Sequence, residues 1–345
     1  MTSRDVYFVG TIPLTGPFDV FTTLAELVGE RAYRVPDGET GDRKLWIQAQ
    51  YPILAACPAL MVGDFPKDGL TRRTTYQIPV RLRPDSQERD IAFTELGYAR
   101  YAIASYGLFR AMKESGRIPR QWRFQVGLPA PMEVMPMVEP ESRALVEAPY
   151  ERALLAELDR IQQAIPHDQL ALTWDVVQGV LLWEDLANSY VTVWFDHPLE
   201  GVLERYTRLG SRVAAGVELG FHLCYGSLDH RHALEPRDLG ACVNLANAIA
   251  SRLTRPIDYV HMPVPNARTD EGYFAPLARL DHTRVRHVYL GLIHYTDGVH
   301  GARRRAAAAQ RYPPNFGVAT ECGFGRRPSA QDVRRLIRLH ADVVD

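Results

Sequence analysis

Eight short runs of apolar and β-branched residues recur along this chain of 345 residues, and longer stretches with helical periodicity separate them. Most of the runs are apolar at nearly every position, which is typical of strands buried on both faces of a sheet. The runs cover Val6–Pro13, Ala32–Gly38, Arg123–Pro129, Leu170–Val176, Gly216–Tyr225, Ile257–Val264, His287–His294 and Phe316–Gly323. Strands that alternate with helices predict parallel βα units, and eight such units predict a single (β/α)8 TIM barrel.

The segments between these runs support the barrel. Four of them carry an apolar stripe at helical spacing: Tyr150–Ile165, Glu200–Ala215, Pro236–Leu253 and Pro328–Val344. We therefore predict one domain over residues 1–345, with an insertion after the second strand. The irregular, Arg-rich part of that insertion, Pro66–Asp90, predicts a lid or an extra hairpin. An open doubly wound sheet is the alternative fold, but its first strand would usually lead into a Gly-rich turn, and Gly10–Pro13 holds one glycine.

The composition argues against several classes of protein. Lys and Arg number 40 against 41 Asp and Glu, so no basic excess indicates a nucleic-acid partner. No apolar stretch approaches the roughly 20 residues of a membrane-spanning helix, and the first residues lack the apolar core of a signal peptide. Four cysteines in a chain this long do not make a disulfide framework, which predicts a cytoplasmic protein with reduced thiols. Cys57 and Cys242 are predicted to be packing residues, and a homo-oligomer remains open.

Three side chains at the ends of two predicted strands indicate a metal site. His222 and Cys224 are two positions apart, so a strand places both on one face. Cys322 ends the last predicted strand, and the carboxyl ends of barrel strands gather at one face. Nitrogen and thiolate sulfur together are ligands that tetrahedral Zn²⁺ prefers. For His222 and Cys224 alone, a packing cysteine beside a hydrogen-bonded histidine is the competing interpretation.

The fourth metal ligand is ambiguous in the sequence. His261 ends the strand that follows His222, whereas Glu321 adjoins Cys322. Neighbouring residues on a strand point to opposite faces, so we favour His261 over Glu321. A hydrogen-bonded loop histidine is the alternative interpretation of His261, and the substrate itself is a further candidate for the fourth position.

A second group of polar residues follows the second predicted strand. The segment from Arg34 to Arg43 holds Asp37 and Glu39 between arginines, which predicts a carboxylate grip on a cationic substrate group, with an arginine that orients it or binds an anion. A solvated turn with a local salt bridge is the alternative. Thr11 and Asp175 end two further predicted strands and join the candidate substrate-binding residues. Asp175 is also well placed to cap the following helix.

The seventh predicted strand ends in residues that suit proton transfer. His294 and Asp297 are candidates for general acid and base, or for partners that orient a metal ligand. His230 and His232 lie in a polar loop after Cys224; we favour surface histidines, and an approach to the site is the alternative.

Together these segments resemble the catalytic barrel of cobalamin-independent methionine synthase and its uroporphyrinogen-decarboxylase-like superfamily, from Val9 to Arg327. His222-Leu223-Cys224-Tyr225 is similar to the family's zinc-binding His-x-Cys-Tyr, and Glu321-Cys322-Gly323-Phe324 to its Asp-Cys-Gly-Leu. Val9–Pro13, Asp37–Glu39 and Thr173–Asp175 resemble its Gly-Ser-Phe-Pro, Gly-Glu-Pro and Gln-Ile-Asp-Glu segments. The resemblance implies a zinc-dependent methyltransferase that activates a thiol as a thiolate, with Glu39 holding a substrate amine.

The departures from the family also matter. There a glutamate on the strand after the His-x-Cys supplies another zinc ligand, whereas Val260-His261-Met262-Pro263 contains no acid. The chain is also far shorter than the full methionine synthase, which disfavours a polyglutamyl folate donor without deciding whether folate is used, and another alkyl donor is open. In this respect it resembles uncharacterised single-barrel relatives of the synthase.

These patterns lead to one hypothesis and two alternatives. The hypothesis is a zinc-dependent alkyltransferase whose partners are a small-molecule thiol and an alkyl donor. Glu39 and Asp175 would hold a substrate amine, as the resemblance implies, and His294 or Asp297 would deliver a proton to the leaving group. The first alternative is a zinc hydrolase or lyase that uses a metal-bound water. The second is a protein that binds metal or ligand without turnover.

Overall fold

The structure is a computed structural model, and it describes residues 5–45, 47–64, 78–189, 191–226, 232–313, 315–325 and 329–345. The strands of these residues are β1 (Arg34–Pro36), β2 (Leu60–Val62), β3 (Val80–Leu82), β4 (Arg123–Pro129), β5 (Leu170–Val176), β6 (Glu218–Leu223), β7 (Tyr259–Pro263), β8 (Val288–Ile293) and β9 (Phe316–Thr320). Strands β4 and β5 have the bounds that the sequence predicts, because both are apolar runs between clear helical stretches.

The helices fill the intervals between strands. They are α1 (Pro17–Leu27), α2 (Tyr51–Ala56), α3 (Tyr98–Glu114), α4 (Pro131–Val134), α5 (Pro140–Ala164), α6 (Gln178–Glu184), α7 (Pro198–Ser211), α8 (Gly240–Arg252), α9 (Glu271–Phe274), α10 (Gly298–Ala309) and α11 (Ala330–Val344). Short 3-10 helices lie at Gly29–Arg31, Gly41–Leu45, Gln48–Gln50, Glu88–Asp90, Met135–Met137, His167–Gln169 and Ala275–Arg279. Within the described ranges, every helix is too short or too polar to cross a lipid bilayer.

Seven parallel strands form one curled sheet in the order β1-β4-β5-β6-β7-β8-β9. Val6 makes parallel bridges to Ala32, beside β1, and to Val318 in β9, so it links the two edges of the sheet. Tyr7 N donates to Val318 O (2.9 Å), and Val318 N donates to Asp5 O (3.0 Å). The α/β barrel-like architecture of the sequence prediction is therefore observed, with seven strands in this sheet among the described residues instead of eight.

The predicted first strand, Val6–Pro13, is not a regular strand. Beyond Val6 the backbone finds other partners: the Gln125 side-chain amide donates to the carbonyls of Phe8 (3.0 Å) and Val9 (2.9 Å). A side chain of β4 thus replaces part of the ladder that a strand would make, and the segment runs on as coil toward the carboxyl face of the sheet.

The chain between β1 and β4 contains a separate small sheet. Strands β2 and β3 pair antiparallel, and Val80 in β3 also bridges to Val138. The predicted lid or hairpin at Pro66–Asp90 lies partly outside the described residues, and its described part contributes β3 and the 3-10 helix Glu88–Asp90. Whether these elements act as an insertion into a regular barrel stays a prediction.

A polar network occupies the end of the barrel at which the strands begin. Arg34 donates through Nε to Glu218 Oε2 (2.7 Å) and through Nη1 to the Tyr289 hydroxyl (2.8 Å). Its guanidinium carbon also lies 4.2 Å from the centroid of the Tyr259 ring. Arg34 is 7% exposed, and its cation is matched by an anion, a hydroxyl and an aromatic face. We call Arg34, Glu218, Tyr259 and Tyr289 the basal network.

Candidate metal centre

Three predicted metal ligands meet at the opposite, carboxyl end of the strands. Their candidate ligand atoms, a ring nitrogen of His222 and the sulfurs of Cys224 and Cys322, all lie within 4.8 Å of one another. His222 is in β6, Cys224 is the residue directly after the end of β6, and Cys322 lies just beyond the end of β9. His222 and Cys224 are buried, and Cys322 is partly exposed. The spacing by two along β6 and the shared strand ends bring these side chains together, and we call them the metal cluster.

His261 lies beside this cluster but does not face it. Its Nδ1 is 2.7 Å from Nδ1 of His222, and its Nε2 is 3.0 Å from the carbonyl oxygen of Thr320. Both ring nitrogens are therefore engaged, and His261 is not among the side chains whose ligand atoms converge. The expectation that His261 is the fourth metal ligand does not fit this geometry, because its nitrogens point to a histidine and to a carbonyl.

The electrostatics of the cluster call for a cation. The pKa of Cys224 is raised well above its usual value by the Cys322 sulfur and by burial. Burial works against a charged His222 ring, but the Cys322 sulfur outweighs it and raises the pKa of His222. Two buried thiolates side by side repel each other, so both ionise readily only when a cation lies between them. The donor set fits Zn²⁺, which two thiolates and an imidazole suit.

The other candidate fourth ligand, Glu321, is turned toward two histidines. Its carboxylate oxygens lie 3.2 Å from His232 Nε2 and 3.6 Å from His294 Nδ1. His232 also contacts Glu235 at 3.1 Å. Burial opposes a charge on His232, but Glu321 and Glu235 raise its pKa to about 9. The prediction of a surface histidine is therefore wrong for His232, whose side chain is 10% exposed, while His230 lies outside the described residues.

A cavity of about 160 Å³ opens on one side of the metal cluster. Its lining includes the cluster itself and three buried carboxyl groups, those of Glu39, Glu133 and Asp175. We call it the acidic cavity. Among the described residues of its lining, Lys44 carries a cationic side chain, and it is exposed. A cationic group bound beside the sulfurs would therefore meet an excess of negative charge.

Glu39 is held in an unusual conformation at the wall of the acidic cavity. Its φ is +45°, in the left-handed region that residues other than glycine seldom adopt. Thr11 Oγ1 donates to Glu39 Oε2 over 2.5 Å. Burial, followed by the charges of Asp175 and Asp37, raises the pKa of Glu39 well above its usual value, although the Thr11 hydrogen bond acts the other way. The structure thus places Thr11, Glu39 and Asp175 together at the cavity, as the sequence predicted.

Asp37 and Arg43 lie behind this wall instead of in it. Arg43 Nη2 donates to Asp37 Oδ2 (2.9 Å), and its guanidinium carbon lies 4.4 Å from the centroid of the Tyr101 ring. Asp37 also accepts from Ser105 Oγ (2.7 Å) and from the backbone N–H of Glu39 (2.9 Å). The expectation of direct substrate contact does not fit either residue, because their charges neutralise each other and fix the loop that carries Glu39.

Glu133 is a residue of the candidate site that was not predicted from the sequence. It lies in the short helix α4, is 3% exposed, and lines the acidic cavity. Its oxygens accept from the Tyr206 hydroxyl (2.8 Å) and from Gln178 N (2.9 Å). Burial raises its pKa to about 7, although those donors act in the opposite direction. Its position just after the predicted strand Arg123–Pro129 was the available signal.

A second cavity, of about 420 Å³, lies against the same sulfurs. It shares Cys224 and Cys322 with the acidic cavity and adds His232, His294 and Glu321. We call it the histidine cavity. The two sulfurs therefore form part of the wall between two chemically different spaces.

The two predicted proton-transfer residues have different positions. His294 lines the histidine cavity, and its Nε2 lies 2.8 Å from the Val264 carbonyl oxygen. Burial lowers the pKa of His294. Asp297 instead accepts two hydrogen bonds of 2.8 Å from Arg305. Burial opposes its charge, but Arg305 holds the pKa of Asp297 below its usual value, so the expectation of a proton donor does not fit Asp297.

Comparison with known proteins bears on the fold. The chain matches the structure of a B12-independent methionine synthase from Shewanella sp. W3-18-1 in complex with selenomethionine, with a TM-score of 0.60 and 12% sequence identity. The match covers 100% of this chain and 98% of that one. No family model matches the sequence, and no curated protein matches it. The predicted relation to methionine synthase-like barrels is thus confirmed at the level of the fold, and the activity has to be argued from the site.

Proposed function

We propose that this protein is a zinc-dependent alkyltransferase that acts on a thiol carrying an amino group. The observation that carries the proposal is the contact between a His/Cys/Cys cluster and a cavity with three buried carboxyl groups. The fold that the chain shares with a methionine synthase also supports the proposal of alkyl transfer. His222, Cys224 and Cys322 would hold the zinc, and the fourth position would be left for the substrate.

The reaction forms a thioether. The thiol sulfur forms a bond to the alkyl carbon of the donor, and the bond from that carbon to its leaving atom breaks. The leaving atom departs with the electron pair. The proton of the thiol passes to His294, and from there to the leaving atom of a neutral donor, or to solvent when a sulfonium donor leaves as a neutral thioether. Zinc bound at this site would lower the pKa of the incoming thiol, which makes the sulfur nucleophilic at neutral pH.

The residues of the acidic cavity would bind the amino group of the substrate. Burial, and after it the charge of Asp175, raises the pKa of Glu39, and a charged amine placed between the two carboxyl groups would offset both effects. Thr11 already fixes one oxygen of Glu39 by a hydrogen bond, so the carboxylate is oriented before the substrate arrives. Glu133, whose pKa is about 7, adds a partly ionised carboxyl group to the same wall.

His294 is the residue we assign to proton transfer. Its Nε2–H donates to the Val264 carbonyl, which leaves Nδ1 to take up and release a proton beside Glu321. Its lowered pKa keeps the ring neutral and therefore able to accept the thiol proton.

Binding of matched thiols to the cobalt-substituted protein tests the proposal without knowledge of the alkyl donor. We expect 2-aminoethanethiol to increase the sulfur-to-cobalt charge-transfer absorption and to bind about tenfold more tightly than 2-mercaptoethanol, which has a hydroxyl in place of the amine. Glu39→Gln should abolish that preference, because it removes the charge that the amine meets. Glu235→Gln is the control, since it removes one exposed charge from the histidine cavity instead.

Product formation completes the test. The zinc protein, a preferred thiol and a methyl sulfonium or methyl-folate donor should give a thioether detectable by mass spectrometry, and a chelator should stop its formation. Equal binding of the two thiols, or a chelator-sensitive hydrolysis that is indifferent to thiols, would argue against alkyl transfer and for metal-bound water chemistry.

A further inference from the structure

The ring of His222 has to present one particular nitrogen to the two sulfurs. A metal binds only a ring nitrogen that carries no proton, and a neutral imidazole has one such nitrogen. Nδ1 of His222 is 2.7 Å from Nδ1 of His261, whereas its Nε2 is buried and has no hydrogen-bond partner among the described residues. The tautomer of His222 therefore decides whether this cluster can bind a metal.

The register of two strands fixes the pair of rings. His222 in β6 and His261 in β7 are direct partners in the parallel ladder. Their ring centroids are 4.7 Å apart, and the Tyr7 ring packs against His261 at 5.6 Å. His222 is 2% exposed and His261 is fully buried, so the contact between them is made away from bulk water.

The carbonyl of Thr320 determines where the proton of His261 lies. His261 Nε2 is 3.0 Å from this oxygen, and a carbonyl can only accept, so Nε2 carries the proton. In the neutral ring Nδ1 is then an acceptor. Nδ1 of His222 must donate to it, which leaves the lone pair of His222 on Nε2.

We propose that His261 is a positioning residue that sets the metal-binding tautomer of His222. The constraint begins at the Thr320 carbonyl, passes through both rings and ends at His222 Nε2. This inference rests on the metal site of the proposed function. It gives His261 a role through its partner, as hydrogen-bonded partners commonly orient metal-ligating histidines.

The first test reads the tautomer directly, in metal-free protein labelled with ¹⁵N-histidine and kept in mildly alkaline buffer. Long-range ¹H–¹⁵N correlation should show His222 protonated at Nδ1 and unprotonated at Nε2. His261→Phe keeps an apolar ring and removes the acceptor, so His222 should then populate the tautomer protonated at Nε2. Zinc affinity should fall by about 10- to 100-fold in the same variant.

His261→Asn is the conservative variant and keeps the test informative if the phenylalanine variant folds poorly. Its Oδ1 can accept from His222 Nδ1 in place of the imidazole nitrogen. We expect the wild-type tautomer and a zinc affinity within about tenfold of wild type. His340 is the internal reference, because its Nδ1 lies 2.7 Å from the Leu336 carbonyl oxygen and its tautomer should be unchanged in every sample.

Several results would overturn the inference. They are a wild-type His222 protonated at Nε2, an unchanged tautomer and zinc affinity in His261→Phe, or a wild-type protein that binds no zinc. Neither the tautomer measurement nor the zinc affinity requires catalytic turnover. A protein with the expected tautomers and zinc affinities but no thioether product would keep this role for His261 and remove alkyl transfer.

Discussion

The two ends of the barrel use polar residues in opposite ways. At the end where the strands begin, the Arg34 guanidinium meets Glu218, Tyr289 and the ring of Tyr259, so the buried cation is compensated on several sides. At the carboxyl end, His222 Nε2 has no hydrogen-bond partner among the described residues, and the carboxyl group of Glu39 is buried near like charges.

The difference indicates which end is built for ligand. Polar burial without compensation costs free energy, so it persists where a bound group supplies the missing partner. The basal network is complete within the protein, whereas under the proposed function the carboxyl end would be completed by one cation at the sulfurs and another at the carboxyls. Substitutions at the end where the strands begin should therefore change stability, and substitutions at the carboxyl end should change ligand binding.

The largest expected effect follows from removing a sulfur at the carboxyl end. Cys322→Ala should reduce bound zinc from near stoichiometric to near zero, because two ligands hold zinc poorly. Inductively coupled plasma mass spectrometry measures this directly. Cys242→Ala is the control: Cys242 is buried, whereas Cys322 is partly exposed, and it lies beside Tyr225, so zinc content should be retained. Equal zinc in both variants would remove the metal site.

The second-largest effect is expected on stability, at the end of the barrel where the strands begin. Arg34→Met should lower the free energy of unfolding by about 3 kcal/mol, because it leaves Glu218 and the Tyr289 hydroxyl without their partner. Denaturation by guanidinium chloride measures the loss. Zinc affinity of the folded variant should stay unchanged. A change in zinc affinity would show that the two ends are coupled.

Arg252→Met is the control for this substitution. Arg252 forms an exposed ion pair with Glu200, and solvent screens such a pair, so its loss should cost far less than the loss of Arg34. A similar loss from both arginine variants would mean that the basal network contributes no more than a surface ion pair.

A smaller effect is the change in stability that Glu133, at the carboxyl end, causes as pH rises. The pKa of Glu133 is about 7 in the folded protein, above its usual value near 4.5, so the folded state holds more protons between these values. Stability of the metal-free protein should therefore fall as pH rises through this window, by at most about 3 kcal/mol. Glu133→Gln should flatten that slope in denaturation curves recorded at several pH values, and an unchanged slope would assign it to other groups.

The smallest effect is a pH dependence of stability that has the opposite sign to that of Glu133. It arises at the end of the barrel where the strands begin. Burial and the charge of Arg34 lower the pKa of His287 to about 4, against the attraction of Asp5. The unfolded chain then holds more protons between about pH 6.5 and 4, so stability is lost as pH falls through that range. We expect about 1 kcal/mol, since the ring is partly exposed and screened. His287→Gln should remove the acid loss, and its persistence would refute the assignment.

The backbone of the site was predictable from local patterns. Period-two alternation placed His222 and Cys224 on one face, and the convergence of strand ends brought Cys322 to them. Apolar runs marked β4 and β5 because both strands are buried on either side. These features depend on the spacing of residues along the chain, which the sequence contains.

Side-chain partners were not predictable in the same way. The ring of His261 is directed by a carbonyl on another strand, and Asp297 is held by Arg305 on helix α10, so neither orientation follows from spacing. Glu133 lies in a helix of one turn whose direction is set by packing. Its role at the cavity depends on contacts with Tyr206 and Gln178, which are distant in sequence.

The bridges made by Val6 have a consequence for the order of folding. One short segment near the beginning of the chain joins the neighbour of the first strand, Ala32, to the last strand at Val318. Contacts between residues so far apart in sequence carry a large loop-closure entropy and form slowly. We therefore expect successive βα units to assemble first and the seam at Val6 to close last, once β9 has formed.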